Sequence, residues 1–153
     1  MAFTFDSGGI PFKCDDAKMS LGASTWNTRL SQIGRSNAPV HIMTRNLVDT
    51  DYIARILQKR QENIFILANT SSRAEALTLK QMFPYVELRL HPDNNANMVL
   101  VGAQTVWMTS NDFGKTPKSQ IDSAVGLHSA TAYEIALTKL FQPAWECADV
   151  LGY

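Results

Sequence analysis

The sequence predicts an α/β domain built on a mixed, largely parallel sheet flanked by helices, and three observations predict it. Short apolar runs at 40–43, 64–68 and 98–101 have the length of buried strands. Helical periodicities with N-terminal capping residues alternate with the first of these runs, as βαβ units do. Finally, 45% of the 153 residues are apolar, enough for one genuine core.

The first 20 residues have no period. Gly8, Gly9 and Pro11 punctuate them, and Phe3, Phe5 and Phe12 are placed to dock on a body. They are expected to form an arm with at most a short strand, and 21–153 to form a single domain. Residues 24–33 read as a helix with Ser24 as cap, Trp26, Leu30 and Ile33 on one face and Gly34 at its end. Pro39 introduces the strand at 40–43, in which His41 reads as a core histidine. A helix at 49–59 follows, capped by Asp49 or Thr50, with Ile53, Ile56 and Leu57 inward. Its Arg55, Lys59 and Arg60 read as a solvated basic face.

After the strand at 64–68, Ser72 and Glu75 have the spacing of a capping box. The helix they open carries Ala76, Leu79, Met82 and Phe83, and Pro84 stops it. Residues 86–90 alternate apolar and charged side chains, as a half-exposed strand does. Residues 98–101 and 105–108 form a hairpin around Gly102-Ala103-Gln104. A polar loop at 114–120 leads to a last strand at 121–127. Thr131 and Glu134 form a second capping-box pattern before a helix that Pro143 interrupts.

Lysine plus arginine equals aspartate plus glutamate, 14 against 14. The balance lacks the basic surplus of a dedicated nucleic-acid binder, although a local basic patch remains compatible with it. Cys14 and Cys147 lack a CxxC partner and read as reduced thiols. There is no run of about 20 apolar residues to span a bilayer, and the N-terminus lacks the pattern of a secretory signal. A soluble, cytoplasmic protein is the expectation. The three histidines lack metal-ligand spacing, so no metal and no cofactor are expected.

The polar residues converge on the ends of the strands. Arg45 and Asn46 follow the first strand at its carboxyl end, where open α/β sheets place ligands. Asn69, Thr70, Ser71 and Ser72 follow the second at the start of a helix, where free N–H groups can receive an anion. Asn95-Ala96-Asn97 leads into the hairpin, and Thr109-Ser110-Asn111-Asp112 leaves it.

The order of elements and this hairpin resemble the phospholipase D-like superfamily, and in particular its small single-domain nucleases, over residues 24–150. The family signature is a histidine, any residue, a lysine, four residues and an aspartate, then a strand ending in Gly-Ser or Gly-Thr and an asparagine. Here Asn95 and Asn97 stand at the histidine and lysine positions and Gly102 at the aspartate position. Thr109-Ser110 replaces Gly-Ser, and Asp112 stands near the asparagine. Asp122 matches an acidic residue that supports the family's catalytic histidine.

The resemblance implies a nucleophilic histidine that forms a covalent phosphohistidine and a lysine that binds phosphate. Asparagine supplies neither: its amide nitrogen has no available lone pair and it carries no charge. The resemblance therefore implies a catalytically inactive domain acting as a binding module for nucleic acid or protein, working as a homodimer. The alternative is a phosphodiesterase or nuclease with a rearranged site in which His91 or His128 acts as base or nucleophile, assisted by Ser110 and Asp122. A purely structural subunit would instead show a large apolar patch, to which Trp107, Trp145 and the N-terminal phenylalanines could contribute.

Overall fold

The computed structural model describes residues 3–6, 8–22, 33, 37–60, 62–114 and 120–151. Eight strands form one sheet: β1 Ala17–Gly22, β2 Val40–Thr44, β3 Ile64–Asn69, β4 Glu87–His91, β5 Met98–Val101, β6 Thr105–Thr109, β7 Asp122–His128 and β8 Asp149–Val150. Their order is β1-β7-β6-β5-β2-β3-β4-β8.

The α/β class and the mixed sheet are as the sequence predicts, but parallel pairing is narrower than expected. Only β2–β3 and β3–β4 are parallel, and the other five pairings are antiparallel. The reason lies in the connections. A helix returns β2 to β3 and β3 to β4 in the same direction, whereas a tight turn of three residues can only reverse a chain. That turn joins β5 to β6: Gly102 and Ala103 both have positive φ, 65° and 59°, and Gln104 N–H donates to Val101 C=O. Two central residues in the left-handed region match the twist of a hairpin.

Helix α1, Thr50–Leu57, is capped by Asp49, whose carboxylate accepts from Tyr52 N–H at 3.0 Å. It buries Ile53, Ala54, Ile56 and Leu57 on one sheet face. Arg60 corrects the expectation of a solvated basic face. It lies past the helix end, is buried, and donates to the carbonyls of Ile33, Ala38 and Glu62. Arg55 and Lys59 remain exposed.

Helix α2, Arg73–Met82, is not held by the expected Ser72 cap. The Ser72 hydroxyl is buried and accepts from Leu47 N–H at 3.2 Å. A short 3₁₀ turn, Thr70–Ser72, precedes the helix, and Asn69 caps that turn through Ser71 N–H. The second cap also shifts. Ser129, still extended as it leaves β7, accepts from Ala132 N–H and starts α3, Ala130–Ala136.

A π-helical segment, Leu137–Phe141, joins α3 to α4, Gln142–Cys147. Pro143 has no N–H to return to the preceding turn, and the ladder widens just before it: Gln142 N–H reaches back to Leu137 C=O. On this second face His41 stacks on Phe65 and meets Phe141 edge-on, and Phe141 stacks on Trp145. His41 is thus half-buried and packed among rings, which fits the expected packed histidine.

The strand expected in the arm is β1. It pairs with β7 and runs across the boundary expected at residue 20, so the end of the arm belongs to the sheet. The helix expected at 24–33 lies outside the described residues, apart from Ile33, which is buried. Most of the loop at 114–120 lies outside them too. Trp107, weighed as a patch residue, is buried. Its indole lies over Gly126, where an added Cβ would stand 2.8 Å from three ring carbons, which explains a glycine inside β7.

Candidate functional site

One end of the sheet collects the polar residues. The C-terminal ends of β2, β3 and β4 lie there, with the start of β5, the end of β6 and the start of β7. The segment before β5 is laced across the parallel strands by asparagine side chains. Asn69 Nδ2 donates to the carbonyls of Pro92 and Asn94, at 3.0 and 2.9 Å. Asn94 Nδ2 donates to Thr44 C=O at 2.8 Å, and its Oδ1 accepts from Ala96 N–H. Asn97 Oδ1 accepts from Arg45 N–H at 3.0 Å. An amide side chain suits this work because it both donates and accepts where sheet pairing stops.

Two carboxylates anchor the other half of the rim. Asp122 is 5% exposed and accepts from Ser110 Oγ at 2.9 Å, Asn111 Nδ2 at 2.9 Å and Gln120 Nε2 at 3.3 Å. Ser110 Oγ in turn accepts from Ser123 N–H. Asp112 Oδ2 accepts from Asn46 Nδ2 at 3.2 Å and faces Arg45 Nη2 at 3.6 Å. Thr44 joins the halves: its hydroxyl accepts from Phe113 N–H and donates to Asn46 C=O.

Arg45, Asn46, Asn69, Asn97, Ser110, Asp112 and Asp122 therefore form one connected rim, and Asn95 is exposed beside it. Sequence reasoning missed Thr44 and Asn94 and named Asn111 only as part of a polar cluster; all three are buried. Asn111 sits inside the small polar cluster after β6, and nothing local marks it as the partner of Asp122.

Neither histidine lies beside Ser110 and Asp122, although His91 pairs with Asn69 on the β4 side of the rim. His128 ends β7, opposite Asp122, and its Nδ1 is hydrogen-bonded to Thr105 Oγ1 at 3.2 Å. Seven residues of strand separate the two ends, about 20 Å. His91 ends β4, and its Nδ1 accepts from Asp93 N–H within its own loop. Three strand positions, about 14 Å in the sheet plane, separate it from the start of β5. Both histidines thus make their hydrogen bonds away from Ser110 and Asp122. No group of three or more residues suited to a metal ion occurs among the described residues.

The fold is phospholipase D-like, as its likeness to solved structures shows. The solved structure of Nuc from Salmonella typhimurium, a phospholipase D family member, is similar over 88% of this chain and 98% of its own, with a TM-score of 0.72 and 14% identity. NucT from Helicobacter pylori is similar over 88% of this chain and 99% of its own, at a TM-score of 0.69 and 16% identity. TrmBL2, an archaeal chromatin protein with a novel mode of DNA binding, is similar over 94% of this chain and 56% of its own, at a TM-score of 0.62 and 12% identity. No family model and no curated protein matches the sequence.

Proposed function

We propose that this chain is a non-catalytic phospholipase D-like domain that binds nucleic acid at the polar rim. The observation that carries the reading is the state of Asn97. It stands where the family has its phosphate-binding lysine, and its carbonyl oxygen is committed to Arg45 N–H. Asn95, at the nucleophile position, is an amide whose nitrogen lone pair is delocalised and cannot attack phosphorus. The placement of His128 at the far end of β7 and of His91 three strands away from β5 supports the same reading.

Nucleic acid is favoured as partner because the fold is shared with a chromatin protein that binds DNA. A homodimer is part of the proposal. Met19 and Leu21 on β1 and Met108 on β6 are exposed apolar side chains on one sheet face that a second copy would cover. Among the described residues no helix is long and apolar enough to cross a membrane. The free thiols of Cys14 and Cys147 suit a cytoplasmic setting.

The test is one assay for binding and cleavage. Labelled single- and double-stranded DNA and RNA are mixed with the protein at low and physiological salt, with and without divalent metal. Salt-sensitive binding without cleavage is expected. Cleavage would overturn the non-catalytic reading. Absence of binding to every nucleic acid would overturn the choice of partner and move it to protein.

A further inference from the structure

We infer that Arg45 supplies the phosphate-binding charge of this site, and that Asp112 is its resting counter-ion, in competition with the ligand. The inference rests on the nucleic-acid reading above and names the chemistry recognised: a backbone phosphodiester.

The positive charge that the family carries at position 97 is absent here, but a cation stands beside it. Arg45 N–H is 3.0 Å from Asn97 Oδ1, which fixes the arginine backbone next to the vacated lysine position. Its side chain is 52% exposed and approaches Asp112, 14% exposed, at 3.6 Å. That is longer than the 2.7–2.9 Å of a tight charge-assisted hydrogen bond. Such half-exposed pairs hold weakly. A guanidinium offers five donors in a fork that matches phosphate, so the pair leaves Arg45 available to a phosphodiester.

Asp112 is built to outlast the exchange. Its Oδ2 also accepts from Asn46 Nδ2 at 3.2 Å, so the carboxylate keeps a donor when the guanidinium turns away. The negative charge remains beside the anion site and opposes the incoming phosphate. Aspartate at the position of the family's asparagine thereby weakens the site, and neutralising it should strengthen binding.

The experiment titrates a short labelled single-stranded oligonucleotide against wild type, Arg45→Ala, Arg45→Lys and Asp112→Asn across a salt series. Matched melting curves establish folding, which the exposed Arg45 side chain makes robust. Arg45→Ala should weaken binding about tenfold and lower the slope of log K against log salt by about 0.7, one single-strand phosphate contact. Arg45→Lys should keep the slope and lose part of the affinity, because it keeps the charge without the fork. Asp112→Asn should bind about three- to tenfold more tightly, the effect of one removed repulsive charge.

Wild-type affinity and slope in Arg45→Ala would overturn the inference and leave nucleic-acid binding standing. If the wild type binds no oligonucleotide, the functional reading fails. The inference is then decided by titrating Asp112→Asn with inorganic phosphate. Binding that disappears on adding Arg45→Ala supports an arginine anion site, and no binding overturns it.

Discussion

Asn97 Oδ1 and the backbone N–H of Arg45 lie 3.0 Å apart, a contact between residues 52 positions apart in the chain. It ties the exit of β2 to the entry of β5 just beyond their last paired residues. Asn97→Ala should lower stability by about 1 kcal/mol, the value of one hydrogen bond near solvent. Amide hydrogen exchange at Arg45 is the direct readout. Unchanged protection there would show that the asparagine is not what holds this junction.

Asp122 is the most enclosed charge of the rim, with three side-chain donors around it. Asp122→Ala removes the carboxylate that accepts from Ser110 Oγ and from Nδ2 of the fully buried Asn111. A loss of about 3 kcal/mol is expected, measured by urea unfolding. A loss below about 1 kcal/mol would place the carboxylate outside the support of the fold.

His41 carries a pH signature. Burial against Phe65 and Phe141 lowers its pKa from 6.5 to about 4. Between these values the unfolded chain binds a proton that the folded protein does not, so acidification favours unfolding. The contribution of neutral His41 is fully present above about pH 6.5 and is lost as pH falls toward 4. His41→Phe should flatten this part of the stability profile. Proton NMR of the ring should show no titration near pH 6.5 in the folded protein.

Gly126 and Trp107 form a pair in which one side chain occupies the space above the other's backbone. Gly126→Ala pushes a methyl group into the indole and should cost about 1–3 kcal/mol, with a change in tryptophan fluorescence. Combining it with Trp107→Leu should recover part of the loss, since residues in contact do not act additively. Equal losses with and without the indole would trace the effect to the backbone instead.

Much of the fold is legible without coordinates. The apolar runs at 40–43, 64–68 and 98–101 have few alternatives, and each is a strand. Asp49 caps its helix as its chemistry suggests. Some errors are shifts within correctly expected elements, and others, such as the direction of the strand pairings and the burial of Arg60, are tertiary. Ser72 has the right spacing for a cap, but its hydroxyl is taken by Leu47, 25 positions away.

What the sequence by itself determined is local: strands and helices from periodicity and turn chemistry, and the polar residues placed at the strand ends. Only the tertiary structure decided which polar groups meet. Asn46 reaches Asp112 across 66 positions, while His128, only six residues after Asp122, stands at the far end of the same strand. The physical reason is that periodicity records which face a residue buries, whereas its partners depend on the order and direction of the strands. Two residues at opposite ends of a strand are kept apart by its rigid rise of about 3.3 Å per residue. Residues distant in the chain are joined when neighbouring strands end side by side.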